Sequence, residues 1–149
     1  MIADFRDLLA ALGAGGVRFV VVGAHAHALA AHGVPRVTGD LDVLVEPTRE
    51  NAGRVYRALA AFGAPMESLG IAEADFSTRD KVVQLGLPPY RIDIMTSISG
   101  VGFTDAWDGR MSGVLFDVSV QFLGRDAFIR NKRASGRPKD LADVKALGA

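Results

Sequence analysis

Two aspartates open a short run that is otherwise suited to a buried strand: Asp40-Leu41-Asp42-Val43-Leu44-Val45, preceded by Thr38-Gly39. On a strand, positions two apart face the same way. Asp40 and Asp42 therefore share a face with Leu44, while Leu41, Val43 and Val45 form an apolar face for helices to cover. Two like charges held side by side repel, and burying them unpaired costs more, so the arrangement makes physical sense mainly when a cation lies between them. Arg91-Ile92-Asp93-Ile94-Met95 repeats the pattern, with one carboxylate opposite the apolar pair Ile92 and Ile94. If these two strands are neighbours in one sheet, three carboxylates converge. Oxygen donors at that density suit magnesium or manganese, and such a site can hold two ions that clamp the attacking and leaving oxygens of a phosphoryl or nucleotidyl transfer.

The chemistry has to come from oxygen and nitrogen, because the chain has no cysteine for a disulfide, a thiolate zinc site or a thiol nucleophile. Its 17 basic and 17 acidic side chains balance, which gives no support to bulk nucleic-acid binding. With 149 residues, 49% hydrophobic and 23% charged, the expectation is one globular domain spanning residues 1–149. The first residues, Met1-Ile2-Ala3-Asp4-Phe5-Arg6-Asp7, carry acids where a signal peptide is basic, and no apolar run approaches bilayer length. A cytoplasmic protein with no membrane partner is expected.

Ile2, Phe5, Leu8, Leu9 and Leu12 fall at helical spacing, and Gly13, Gly15 and Gly16 are read as the stop. Val17 to Val22 reads as a strand covered on both faces, and alanine-rich Ala24 to His32 as a helix. After the Asp40 strand, Pro47-Thr48 opens a helix reaching about Phe62, with Val55, Leu59 and Phe62 inward. Residues 63 to 80 read as a loop with one helical turn, a candidate flap. Lys81 to Leu85 and Arg91 to Met95 form a hairpin around Gly86-Leu87-Pro88-Pro89. A short helix at Thr104 to Arg110, a hairpin from Met111 to Leu123, and two helices, Arg125 to Ala134 and Pro138 to Leu147, complete the chain. The order predicts an α/β (α+β) fold, a mixed, mostly antiparallel sheet flanked by helices, with a C-terminal helical pair.

At the strand-to-helix turn Val22-Gly23-Ala24, a residue without a side chain lets backbone N–H groups approach an anion. Together, Gly23-Ala24, the loop with Gly33, Arg36 and Thr38, Asp40-Leu41-Asp42, and Asp93 on a later strand resemble the minimal nucleotidyltransferase domain of the DNA polymerase beta superfamily. Pro88-Pro89-Tyr90-Arg91-Ile92-Asp93-Ile94-Met95-Thr96-Ser97-Ile98-Ser99-Gly100-Val101 and Asn131-Lys132-Arg133-Ala134-Ser135-Gly136-Arg137-Pro138-Lys139-Asp140-Leu141-Ala142-Asp143 are similar to free-standing bacterial nucleotidyltransferase-like proteins, distantly related to AbiEii-type toxins. The resemblance runs from about Val17 to Leu147.

The resemblance implies the nucleotidyltransferase fold and an enzyme that moves a nucleoside monophosphate from an NTP to a hydroxyl acceptor, which could be RNA, protein or a small molecule. It implies that Asp40 and Asp42 bind the Mg2+ (or Mn2+) that holds the triphosphate. Asp93 would complete the second metal site and help activate the acceptor. Gly23 and the Ala24 backbone would cradle phosphate, with Lys132, then Lys139, reaching the triphosphate and Arg36 and Thr38 as further contacts. The chain departs from the family's usual Gly-Gly or Gly-Ser at Gly23-Ala24. It also places 15 residues between that pair and Asp40, about two more than the family pattern, where His25-Ala26-His27-Ala28 reads as a duplicated dipeptide. That departure motivates the alternative, a catalytically silent nucleotide-binding or partner-binding module, one half of a toxin–antitoxin pair.

Plainer roles stand beside these. Asp40 and Asp42 could be solvated, or paired with Arg36 and Arg91. His25 and His27, two apart on a helix, cannot chelate together, and Trp107 and Tyr90 read as packing residues. Haloacid-dehalogenase-like phosphatases need a Thr where this chain has Leu44, and glycosyltransferases reach their acidic pair from an apolar strand rather than from Thr38-Gly39.

Overall fold

The computed structural model describes residues 2–26, 40–86 and 91–148. Helix α1 (Ile2–Ala14) buries Phe5, Leu8, Leu9 and Leu12 along one stripe, each at most 2% exposed. It runs past Gly13, because a glycine weakens a last turn without ending it. The stop falls at Gly16, whose φ of 68° is left-handed and lets the Val17 N–H reach back to the Leu12 carbonyl at 3.1 Å.

Strand β1 (Phe19–Val22) is buried on both faces, as its unbroken apolar run requires. It pairs antiparallel with β2 (Leu41–Val45) and parallel with β6 (Val118–Phe122). On its other side β2 lies parallel to β4 (Ile92–Met95), which forms an antiparallel hairpin with β3 (Val82–Leu85). Strand β5 (Met111–Leu115) closes the far edge, antiparallel to β6. The result is one six-stranded sheet, ordered β3-β4-β2-β1-β6-β5. Three of its five pairings are antiparallel among the described residues, so the fold is mixed α/β, with the crossovers that parallel neighbours demand.

Helix α2 (Arg49–Phe62) starts where Thr48 Oγ1 accepts the Asn51 N–H at 3.2 Å. The buried Asn51 side chain then accepts from Arg18 N at 2.8 Å and donates to the carbonyls of Arg18 at 3.0 Å and Glu46 at 2.9 Å. A satisfied buried amide thereby ties the start of β1 to the end of β2. Helices α1 and α2 pack on each other. A short helix α3 (Phe103–Asp108) follows β4, and α4 (Arg125–Ser135) and α5 (Pro138–Ala146) form the C-terminal pair.

Residues 63–80 are not a detached flap. A 3-10 helix (Glu73–Ser77) packs on α2 with Phe76 fully buried, and Met66 is buried beside the core. Thr96 anchors the far end, its hydroxyl donating to the Thr78 carbonyl at 2.7 Å and accepting the Lys81 N–H at 2.9 Å. The expected helix over Ala24 to His32 is helical at residues 23–26 and otherwise lies outside the described residues, as does the turn at 87–90. His25 is fully buried, edge-on to Phe116 with centroids 6.0 Å apart. The Trp107 ring carries the guanidinium groups of Arg110 at 3.9 Å and Arg18 at 4.8 Å, and stacks on Phe103. Among the described residues no helix is long and apolar enough to cross a membrane.

Because Phe76 fastens this segment, Phe76→Ala is expected to cost about 3–5 kcal/mol, the range for deleting a buried phenyl ring. Urea unfolding followed by circular dichroism measures it, and a loss below about 1 kcal/mol would mean that the segment is not part of the core.

Candidate functional site

The site forms where β1 ends and β2 and β4 begin. In the parallel β2–β4 pair the register sets Asp42 directly beside Asp93, and in the antiparallel β1–β2 pair it sets Asp42 opposite Val22. Leu41, Val43, Ile92 and Ile94 are all buried on the face away from the acids, so hydrophobic patterning fixes where the carboxylates point. Gly23 has a φ of 71°, and a Cβ there would collide with Asp42 Oδ2. Glycine is required both by its backbone and by the carboxylate lying against it.

A cleft of about 510 Å³ opens over this end of the sheet. Gly23, Ala24, Asp40 and Asp42 line it from the sheet, and Phe128, Lys132, Arg137, Lys139, Asp140 and Asp143 line it from the C-terminal helices and the turn between them. Six of the residues singled out from the sequence therefore meet in one place. Asp93 sits behind them, 6% exposed. Arg36 and Thr38 lie outside the described residues.

Arg91 was weighed only as a pairing partner, and it has the central part. Its Nε and Nη2 donate to the two oxygens of Asp93 at 3.0 and 3.2 Å, a forked contact. The same Nη2 stands 3.3 Å from Asp40 Oδ2, and the Arg91 backbone N–H donates to Asp40 Oδ1 at 3.2 Å. Asp42 is left as the least compensated of the three. Burial, then the charges of Asp93 and Asp40, then a hydrogen bond with Asp93 push its carboxyl up to about 6, with Arg91 only partly opposing them.

The opposite wall treats a carboxylate the other way. Asp140, 1% exposed, accepts from Ser135 Oγ at 2.6 Å, Arg137 Nε at 2.7 Å and Lys132 Nζ at 3.4 Å. The Arg137 hydrogen bond first, then Ser135, hold it well below the usual carboxylate range. This clasp joins α4 to α5 and sets Lys132 against the Phe128 ring at 5.3 Å. In the sequence Asp140 stands out only as one residue of the Asn131 to Asp143 stretch. Its spacing three residues after Arg137 was the available signal, because that separation brings side chains together at a helix start.

The donor chemistry of Asp40 and Asp42, which face the cleft, fits a hard divalent cation. Asp93 does not present to it, since Arg91 takes both of its oxygens, and among the described residues no group of three or more histidine, cysteine or acidic side chains is placed to hold a metal ion. No protein-family model matches the chain, and no curated protein matches it at a significant level.

The two perturbed carboxylates give pH dependences of opposite sign. Asp42 has a raised folded value, so its contribution is present below its ordinary value near 4 and is lost as pH rises through about 6. Asp42→Asn is therefore expected to be more stable than wild type at pH 8, by on the order of 1 kcal/mol after solvent screening, with no advantage near pH 4. Asp140 has a depressed value, so its contribution is present above the ordinary value and is lost as the solution is acidified. Asp140→Asn is expected to cost about 2 kcal/mol at neutral pH, narrowing below about pH 4. Urea titrations at several pH values check both, and parallel pH profiles for all three proteins would contradict the assignment.

Proposed function

We propose that the chain is a metal-dependent nucleotidyltransferase with the minimal fold of the DNA polymerase beta superfamily, moving a nucleoside monophosphate from an NTP to a hydroxyl-bearing acceptor. The observation that carries this reading is the single cleft with Asp40 and Asp42 on one wall and Lys132, Arg137 and Lys139 on the other. A triphosphate brings several negative charges and needs cations on both sides. Lys132, Arg137 and Lys139 supply three, offset in part by Asp140 and Asp143 beside them, and Asp40 and Asp42 are suited to hold a further cation in place.

Asp40 and Asp42 would hold Mg2+ or Mn2+, which when bound supplies positive charge to neutralise what develops on the reacting phosphate. Lys132 and Arg137, both fixed by Asp140, meet the triphosphate from positions set before it arrives, so less order has to be imposed on binding. Lys139 adds a free-swinging charge. Gly23 lets the chain pass close to the phosphates where any side chain would strike Asp42. The acceptor hydroxyl forms its bond to the α-phosphorus as the bond to pyrophosphate breaks, and Asp93 can serve as base for the hydroxyl proton only once Arg91 has given up its oxygens.

The test is calorimetric titration of magnesium–NTP into wild type and Asp42→Ala. Binding weakened at least about tenfold in the variant is expected, and equal binding would sink the site. Incubation of each labelled NTP with total cell extract then identifies the acceptor by what becomes labelled. One observation favours the second reading, a silent nucleotide-binding or partner-binding module: the hold of Arg91 on both oxygens of Asp93. Bound nucleotide with no labelled acceptor would support it.

A further inference from the structure

The three carboxylates at the head of β2 and β4 come with an internal cation, and its placement is what a diffusible ion would have to contend with. We propose that Arg91 is an exchangeable counter-cation: it neutralises Asp93 and Asp40 while the site is empty and must swing away before a divalent cation takes those oxygens. This rests on the reading of the site as a cation site and concerns a positioning residue, not a catalytic one.

Four features carry it. The guanidinium reaches two of the three acids at once, Asp93 through a fork and Asp40 through Nη2. The acids differ in what they lose if it leaves: Asp93 is 8% exposed at its side chain, while Asp40 is 29% exposed and keeps the Arg91 backbone N–H. Removing the guanidinium without a replacement strands a buried charge at Asp93, so a second cation has to take its place. The Arg91 side chain is itself 31% exposed, so it can be rehydrated without unfolding the strand. Finally, the backbone stays anchored throughout by Leu41 N–H to the Arg91 carbonyl at 3.0 Å. Only the side chain has to move.

An arginine at this position therefore lowers the affinity of the site for metal ions and keeps the empty protein folded. Arginine suits this task better than lysine, because its planar fork engages both Asp93 oxygens and lysine offers a single point charge.

Mn2+ is the probe, followed by electron paramagnetic resonance, with Arg91→Gln, Arg91→Lys and Asp42→Ala beside wild type. Arg91→Gln is expected to bind Mn2+ about tenfold tighter than wild type, the scale for removing one competing charge at contact distance, with Arg91→Lys in between. In chelator the glutamine variant is expected to melt below wild type, and Mg2+ to raise its melting temperature more. Equal or weaker Mn2+ binding in Arg91→Gln, with that binding lost in Asp42→Ala, overturns the exchange and leaves the cation site standing. No binding in either wild type or Arg91→Gln overturns both. Should the variants fold poorly, wild type alone decides: the Arg91 Nε–H nuclear magnetic resonance signal, slowed in exchange by Asp93, is expected to lose that protection as Mg2+ saturates the site. Protection retained at saturation overturns the proposal.

Discussion

The parallel register between β2 and β4 is the constraint from which the site follows. Pairing Asp42 with Asp93 also pairs Leu41 with Ile92, Val43 with Ile94 and Leu44 with Met95, so one alignment sets four cross-strand pairs. A slip of one residue would send both acids into the layer where the leucine, valine and isoleucines are packed and would expose that apolar set. The cost of that error is several buried side chains at about 1.5–3 kcal/mol each. Hydrophobic burial thus brings like charges together as a by-product, and the local electrostatics has to accommodate it.

It does so unevenly. Asp140 and Asp42 line the same cleft, yet one is surrounded by donors and the other by acids. The difference originates in the elements that carry them. Asp140 opens a helix just after a chain reversal, where Ser135 and Arg137 can fold back on it and Lys132 comes from one turn earlier on the preceding helix. Asp42 lies inside a strand whose neighbours on both sides are fixed by pairing, and neither Val22 nor Asp93 offers a cation. A strand interior has few ways to relieve a charge from within. Relief comes only from side chains at the strand ends, where Arg91 stands, or from solution.

The strands were legible because Phe19–Val22 is an unbroken apolar run and Ile92–Met95 alternates apolar residues with Asp93, the patterns of a strand covered on both faces and of one with a polar face. Their adjacency was only conditional in the sequence, since nothing local says that a strand at residue 41 pairs with one at 92. Of the three glycines taken together as the end of the first helix, Gly16 makes the turn, and the helical turn expected within residues 63–80 is present but fastened to the core by Phe76 against α2, which local composition does not show. The site divided the same way. Spacing and a family resemblance single out Asp40, Asp42, Asp93, Gly23 and Lys132, of which all but Asp93 line the cleft. Arg91 and Asp140 were underweighted because their importance lies in how forked and stacked side chains meet in space, and a charge count along the chain treats them as balancing surface ions.

A preformed group of acids and a stable empty protein are competing demands. Three carboxylates with no cation among them would repel one another and depress folding, and the like-charge strain at Asp42 is what remains after Arg91 has offset part of it. Placing the arginine on Asp93 and Asp40, and not on Asp42, leaves Asp42, which faces the cleft, the least relieved of the three. Burial and like charge make Asp42 the carboxylate that a nearby positive charge would relieve most. The position of the arginine, two residues before Asp93 on the same strand face, makes this division possible: it reaches its own strand and the adjacent one, and its reach ends short of the third acid.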